Sequence, residues 1–552
     1  MGTRRSAWWI GLAVLGLLVA EMLVVVHQLG APPPQSATVP AASSSPLSSP
    51  SRIERNTSSR TVNPHVFTVA ETEAFLVAAT KAEAIADPLQ RCLAYPDPPN
   101  SHWTRATVVA YCQYRNQPVI TFAQVRDLIE HGKSAELDRL MAQALQAQQT
   151  QPQAHGQLDH LFFVDFDNGS FDIRPTLDAW KRDSPDSAFA YAASGYAYVA
   201  MAADARGEDY LSKTPQSQLD AMDRLLQEGD TDLQRAMALD PKVTSIYVAQ
   251  IRAGAFGLGE SYMRRAVQNG LKVDPANFAI YGQYLWAEEP EWYGSAAALR
   301  RITAEALRHA AQNPLLLLYK AKEPAVQANV RDCCGRPTRL GDFPAVFDDV
   351  AEYLPLEWAG ETAADHDNAP MALIYQSEAV RFDAGNYDAR LRLSNLLTRI
   401  RQPKLLLEHA QQLVTMDPGR MEGYALRGYA WAEQGDMARA KPDLLAALAK
   451  NPNDVWTLDV LGGIYVHSTH EWDKGWDIAN RLIELHPELA AGWLMRASIQ
   501  LHQPRPGLDE TIHYVLAHFG NEPGLRGATG EMRRILAAEA KGGKDPLAPF
   551  RG

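Results

Sequence analysis

Apolar and small residues recur at helical spacing in the C-terminal third of the chain, in units of about 34 residues. Tyr424, Gly428 and Trp431 share one face of a first helix. Ala440 and Leu444 begin the facing stripe of a second helix. The unit boundaries are marked by three prolines, namely Pro418, Pro452 and Pro487. One helical pair cannot bury its apolar face alone, so the pattern predicts an all-α fold of stacked helical hairpins.

This spacing resembles the tetratricopeptide repeat, in which an aromatic residue, a glycine and a small residue recur at fixed offsets. The resemblance implies an α-solenoid, with repeats over 383–523 and a C-terminal helix and tail over 524–552. Pro452 is expected to stop one helix and to open the next helix at its first turn.

A second resemblance covers about residues 121–305. Two motifs carry it. The first consists of Trp180, Pro185 and Ser187, and the second consists of Pro290, Trp292, Gly294 and Ser295. They resemble an uncharacterised bacterial family that is similar to tetratricopeptide repeats. The resemblance implies a helical domain over 62–330 but no activity. Residues 331–382 are expected to form irregular connecting helices and loops.

The helical patterns before residue 383 lead to five local expectations. They are one continuous helix over 71–93, helices over 104–115, 121–132 and 342–354, and a loop over 360–371.

Residues 7–26 form an uninterrupted apolar stretch, apart from one glutamate, that is long enough to cross the hydrocarbon core of a bilayer. Arg4 and Arg5 precede it, so the positive-inside rule places the N-terminus in the cytoplasm. We therefore expect a transmembrane signal-anchor within 1–30 and a Pro/Ser-rich linker over 31–61. The predicted location is the bacterial inner membrane, with the C-terminal domain in the periplasm. A cleaved signal peptide is the alternative interpretation.

Cysteine usage has two interpretations in such a compartment. Cys92 and Cys112 are 20 residues apart, on either side of a proline-rich turn, which favours a disulfide in an oxidising environment. The alternative is two small buried hydrophobic residues. Cys333 and Cys334 are adjacent in a predicted loop, and the sequence leaves their oxidation state open.

The charge and the motifs restrict the function. A net charge of −12 without a dense basic run argues against a nucleic-acid partner. The chain lacks the sequence motifs of a nucleophile elbow, a phosphate-binding loop and a zinc-protease helix. Asp159, His160, Asp165 and Asp167 lie close together, but without calcium-loop spacing. We therefore expect no catalytic residue, metal or cofactor.

The predicted function is that of a membrane-anchored scaffold that binds a protein or peptide partner. By resemblance to the repeat family, the first helices line a concave groove, whose predicted residues are Asn395, Tyr429, Trp456, Asp459 and Leu494. Tyr429 and Trp456 would be aromatic anchors for the partner. The alternative for both is packing between repeats. The alternative function is an envelope enzyme or assembly factor with an unrecognised site in residues 66–380.

Overall fold

The structure is a computed structural model that describes residues 67–207, 212–292, 294–333, 335–503 and 505–540. These residues are helical, with turns and short loops between the helices and no β-strand among them. The predicted all-α fold is therefore confirmed. Among the same residues, no helix is both long and apolar enough to cross a membrane. The predicted signal-anchor, the linker, Cys334 and the tail from residue 541 lie outside the described residues.

The described residues divide into two compact units, one up to Asn386 and one from Tyr387. The helices of the first unit are α1 (Val69–Glu83), α2 (Pro88–Ala94), α3 (Arg105–Arg115), α4 (Phe122–Glu130), α5 (Ser134–Thr150), α6 (Gln157–Asp165), α7 (Arg174–Asp183), α8 (Ala188–Arg206), α9 (Gln216–Leu239), α10 (Ser245–Ala253), α11 (Glu260–Val273), α12 (Phe278–Ala287), α13 (Ala296–Leu307), α14 (Lys322–Ala328), α15 (Phe343–Val346), α16 (Tyr353–Asp365) and α17 (Ala369–Phe382).

The second unit is a succession of helical hairpins. Its helices are α18 (Tyr387–Arg399), α19 (Pro403–Met416), α20 (Glu422–Glu433), α21 (Met437–Lys450), α22 (Val455–Gly463), α23 (Trp472–Leu485), α24 (Ala490–His502), α25 (Leu508–Phe519) and α26 (Arg526–Ala540). A single π-helical turn, Ile464–Ser468, extends α22.

The expected single helix over 71–93 is wrong, because the chain breaks between α1 and α2. Asp87 accepts a hydrogen bond from the backbone N–H of Gln90 at 2.7 Å, and Pro88 occupies the first helical position. Both features start a new helix rather than continue an old one. The expected helices over 104–115 and 121–132 are confirmed as α3 and α4, within two residues at each end.

Residues 331–382 form part of the first unit, so the expected boundary at 330 falls inside it. Two side chains explain why. The Trp103 indole Nε1 donates to the Phe347 carbonyl at 2.9 Å, and Arg115 Nε donates to the Phe382 carbonyl at 2.7 Å. The later helices thus pack back on α3 and the turn before it.

The local expectations in this region were also inaccurate. Instead of one helix over 342–354 there are the short α15 and the start of α16, and the expected loop over 360–371 is mostly helical. Only residues 366–368 separate α16 from α17, and the Asn368 side chain caps α17 by accepting from the Met371 N–H. The polar run over 360–371 contains the end of α16 and the start of α17, and polar residues at helix ends have the composition of a loop.

The hairpin of α20 and α21 shows why the repeat pattern folds. Gly428 on α20 faces Ala440 and Leu444 on α21, and both of these residues are fully buried. Gly435 turns the chain between the two helices with a φ of +81°, which favours glycine.

The expected role of Pro452 needs a correction. Helix α21 ends at Lys450, and α22 begins at Val455, so Pro452 lies in the turn between them and not in a helical first turn. Asp454 is the residue that opens α22, because its carboxylate accepts from the Thr457 N–H at 2.8 Å.

Candidate binding surface on the C-terminal repeats

Two aromatic side chains from neighbouring hairpins meet on the first helices of the repeats. The ring centroids of Tyr429 on α20 and Trp456 on α22 are 5.3 Å apart, and the planes are inclined by 49°. Tyr429 is only 6% exposed, whereas Trp456 is half-buried. Of the two interpretations made from the sequence, packing between repeats applies to Tyr429. Trp456 keeps part of its indole accessible, as an aromatic anchor requires.

Asp459 follows Trp456 by one helical turn and therefore lies on the same face of α22. Asp459 is only 6% exposed, and its Oδ2 atom has no hydrogen-bond partner among the described residues. Burial raises the pKa of this carboxyl to about 7. Buried carboxylates normally accept hydrogen bonds or face a cation, and these contacts offset the loss of water. Among the described residues, the Oδ2 atom of Asp459 has no such contact.

The charges near Tyr429 are of both signs. Burial raises the pKa of Tyr429 to about 12, the Glu433 carboxylate contributes to the rise, and Arg401 opposes it. Glu433 lies one turn after Tyr429 on α20, whereas Arg401 is exposed in the turn after α18. We use the name Trp456 patch for Tyr429, Trp456 and Asp459.

The two remaining groove residues lie in different surroundings. Asn395 is exposed on α18. Leu494 is 6% exposed and belongs to the terminal core, where it clusters with Ile512, Val515 and Phe519. The placement of Leu494 on an open groove is therefore corrected: α25 covers it. Tyr429 and Asp459 are also buried in the free chain, so Trp456 and Asn395 are the accessible members of the predicted set.

The first family motif converges on a residue that sequence reasoning missed. Asp138 Oδ1 on α5 accepts from Trp180 Nε1 at 2.9 Å and from Ser187 Oγ at 2.5 Å. Ser187 Oγ also accepts from the Ala190 N–H, which caps α8. Asp138 and Pro185 line a cleft of about 570 Å³. The sequence signal for Asp138 was indirect: the indole N–H of Trp180 and the hydroxyl of Ser187 belong to one motif, and both need an acceptor.

The second motif is structural as well. A Cβ atom at Gly294 would lie 1.7 Å from the Glu288 carbonyl oxygen, so only glycine fits there. Ser295 caps α13 by accepting from the Ala298 N–H at 3.2 Å. Trp292 contacts Trp286, with ring centroids 4.4 Å apart. These residues shape the chain around α12 and α13.

Asp159 is the centre of a buried hydrogen-bond network. Its Oδ1 accepts from Thr244 and Ser245, both at 2.7 Å, and its Oδ2 accepts from Gln148 and Asn277, both at 2.8 Å. Four neutral donors thus occupy the carboxylate, which links α5, α6, the start of α10 and the cap of α12. In the part of the chain that the structure describes, no group of three or more His, Cys, Asp or Glu residues is arranged to hold a metal ion.

Cys92 and Cys112 are joined by a disulfide, with Cα atoms 5.8 Å apart. Both cysteines are buried in the first unit. Arg381 Nε on α17 donates to the Cys92 carbonyl at 2.8 Å, so the bonded pair also supports the docking of α17. Cys333 is half-buried, with its Sγ 3.9 Å from Glu291 Oε1.

The comparison with protein families agrees with the second resemblance. Residues 121–261 match the family model "Domain of unknown function (DUF4034)". No curated protein matches the chain. The family match supports the predicted resemblance, over a shorter range than 121–305.

Three solved structures are similar to this chain. The MamA protein is 20% identical, with 32% of this chain and 93% of that chain covered and a TM-score of 0.27. The hetero-tetramer Cut9–Hcn1 of the APC/C is 14% identical, with 78% and 76% covered and a TM-score of 0.33. The P58(IPK) TPR domain is 14% identical, with 75% and 99% covered and a TM-score of 0.22.

The hairpins of the second unit and the family match lead to one conclusion. The chain is similar to tetratricopeptide-repeat proteins in its helical hairpins, and residues 121–261 are similar to a domain of unknown function.

Proposed function

We propose that this protein is a non-enzymatic scaffold that binds a protein partner through the Trp456 patch. Residues 7–26 anchor it in the bacterial inner membrane, and the helical units face the periplasm. The observation that carries the binding proposal is the half-buried Trp456 indole on a first helix of the repeats, held in place by the Tyr429 ring.

The Trp456 side chain favours association with another protein. A partly exposed Trp that is already held against Tyr429 loses little side-chain entropy on binding, and Trp is the residue type most enriched in binding hot spots.

The membrane part of the proposal has separate support. The apolar stretch 7–26 has the length of a membrane-spanning helix, and Arg4 and Arg5 precede it. A disulfide between Cys92 and Cys112 suits an oxidising compartment such as the periplasm.

Trp456→Gln is expected to reduce recovery of the partner roughly tenfold or more, because it removes the accessible aromatic anchor. The melting temperature should fall less than for a fully buried aromatic, since Trp456 is only half-buried. The measurement is quantitative proximity labelling of the full-length protein in its host, with thermal unfolding of the purified variant.

Leu445→Gln is the matched control. Leu445 is a large apolar residue on the second helix α21 and is 49% exposed. It should leave the labelled partners unchanged. If Leu445→Gln loses the partner and Trp456→Gln keeps it, the binding face is assigned to the wrong helices.

An alkaline-phosphatase fusion after Gly552 is expected to be active, because that enzyme needs the oxidising periplasm to form its disulfides. A fluorescent-protein fusion at the same position that matures only in the cytoplasm should stay dark. The opposite pair of results would reverse the proposed orientation. A mature protein that starts near residue 32 would replace the anchor by a cleaved signal but keep the compartment.

A further inference from the structure

Three aromatic side chains form a cluster on the surface of the first unit. Trp286 lies near the end of α12, Trp292 follows in the turn before α13, and Phe256 lies in the π-helical turn Gly254–Leu258 after α10. The ring centroids of Trp286 and Trp292 are 4.4 Å apart, and the Phe256 ring is 5.7 and 5.5 Å from them. All three residues are half-buried. We call these three residues the Trp292 platform.

The turn that carries Trp292 has a fixed backbone. The Trp292 and Gly294 N–H groups both donate to the Glu289 carbonyl, at 2.9 and 3.2 Å, and Gly294 packs against the Glu288 carbonyl. Phe256 is carried by a π-helical turn, a feature that is frequent at functional sites. Rings that are already fixed lose little side-chain entropy when a ligand binds.

Both indoles of the platform keep an unused hydrogen-bond donor. In the described chain, neither Nε1 atom of Trp286 and Trp292 donates a hydrogen bond, and neither is buried without a partner, so both N–H groups are accessible to solvent. The buried Trp103 and Trp180 differ, since their Nε1 atoms donate to acceptors of the chain. A ligand of the platform can therefore combine ring contacts with hydrogen bonds from the two indoles.

The charges beside the platform disfavour a cationic ligand. The guanidinium of Arg206 lies 5.4 Å from the Trp292 ring centroid, and that of Arg252 lies 5.6 Å from the Phe256 ring centroid. Arg252 is paired with Asp167. Cations of the chain thus already occupy ring faces that a ligand cation would need. The rings and the two indole donors suit a neutral ligand that is rich in apolar surface and carbonyl oxygens.

The chain itself contains a segment of that chemistry. Residues 31–51 include six prolines and no charged side chain. Polyproline segments are extended and have no internal hydrogen bonds, so their carbonyl oxygens are free to accept. In this form they bind to aromatic-lined surfaces. Residues 52–66 join the segment to Phe67, the first described residue, and these 15 residues span up to about 50 Å when extended.

We propose that residues 31–51 bind to the Trp292 platform of the same chain, with proline rings against the aromatic rings and the two indole N–H groups donating to backbone carbonyls of the segment. Covalent attachment gives the segment an effective concentration on the order of millimolar, so a weak contact is enough to keep it bound. The linker then straps the first unit close to residues 7–26. This inference goes beyond the scaffold function and does not depend on the Trp456 patch.

The first test is site-specific photo-crosslinking of the full-length protein in its host. Phe256 is replaced by p-benzoylphenylalanine, and the cross-linked peptides are identified by mass spectrometry. We expect an intramolecular product with residues 31–51. If circular dichroism shows that this position does not tolerate the photo-reactive residue, the half-buried Leu258 of the same turn carries it.

The matched control carries the photo-reactive residue at Phe171, which is 63% exposed on the first unit but lies outside the platform. Its yield of the product with residues 31–51 should be at least tenfold lower. Equal yields at the two positions would overturn the proposal. Products of the Phe256 position with another protein or with lipid, in place of residues 31–51, would overturn it as well.

A second experiment separates recognition of proline from mere proximity. Residues 31–51 are replaced by a Gly/Ser segment of equal length, which should lower the cross-link yield at least tenfold. A labelled peptide of residues 31–51, acetylated and amidated, should then bind to this full-length variant with a Kd below about 1 mM, the effective concentration. An unchanged yield, or no binding of the peptide up to that concentration, would contradict the proposal.

The role of the indole donors is tested in the same variant. Trp286→Phe together with Trp292→Phe keeps two aromatic rings and removes both N–H groups, so the affinity for the peptide should fall at least fivefold. A peptide whose prolines are replaced by alanine should bind no better to the variant with both tryptophans. Unchanged affinity of the double Phe variant, with its helical circular dichroism retained, would show that the platform does not hold the segment as proposed.

Discussion

Gly428→Leu is expected to lower the free energy of unfolding of the second unit by about 3 kcal/mol, at the upper end of the usual cost of overpacking. A Cβ atom at Gly428 would lie 2.7 Å from Leu444 Cγ and 3.1 Å from the Ala440 carbonyl oxygen. The carbonyl belongs to the backbone of α21, so it moves only if the two helices separate. Thermal and urea unfolding, followed by circular dichroism, measure the change.

Gly463 provides a control with the opposite expected sign. It ends α22, its φ and ψ of −57° and −42° are helical, and a Cβ atom there would meet nothing within 4 Å. Gly463→Ala should therefore stabilise the unit by about 0.5–1 kcal/mol, since alanine restricts the unfolded chain. Gly428→Ala should destabilise it. Equal effects of the two alanines would show that close helix contact at Gly428 is not what the repeat requires.

Reduction of the Cys92–Cys112 disulfide is expected to destabilise the first unit by about 3 kcal/mol. The bond closes a loop over a sequence separation of 20 residues, and its main effect is to restrict the unfolded chain. Within the folded unit it fixes α2 against α3, while Arg381 ties the Cys92 carbonyl to α17. The measurement is the unfolding transition with and without a thiol reductant.

The double variant Cys92→Ala, Cys112→Ala is the control, and its unfolding transition should no longer respond to the reductant. In addition, denatured protein from the host should show at most two reactive thiols, since the chain has four cysteines and two are bonded. Four reactive thiols would show that the bond does not form in the cell. That result would also remove one support for the periplasmic location.

The local chemistry of the repeats was predictable from sequence because it acts over short distances. The spacing of Tyr424, Gly428 and Trp431 is a property of one helix, and Gly428 faces its neighbouring helix as expected. Boundaries were less predictable. The break at Asp87–Pro88 and the role of Asp454 depend on which polar group captures a free backbone N–H.

The candidate site was only partly predictable. Its location on the first helices followed from the repeat register, but exposure did not, because exposure depends on hairpins that are distant in sequence. Leu494 is covered by side chains of α25, the next helix in the chain. The role of Trp180 and Ser187 was likewise not predictable, because their common acceptor, Asp138, lies on a different helix.

The sequence by itself determined the helical period, the hairpin as the building unit and the glycine at the helix contact, since each depends on spacing within about 34 residues. The tertiary structure decided which residues are accessible. It buried Tyr429 against Trp456, left part of the indole open, and enclosed Asp459 without a partner for Oδ2. The physical reason is that burial and hydrogen-bond satisfaction are properties of packed neighbours, and the neighbours are chosen by the stacking of hairpins.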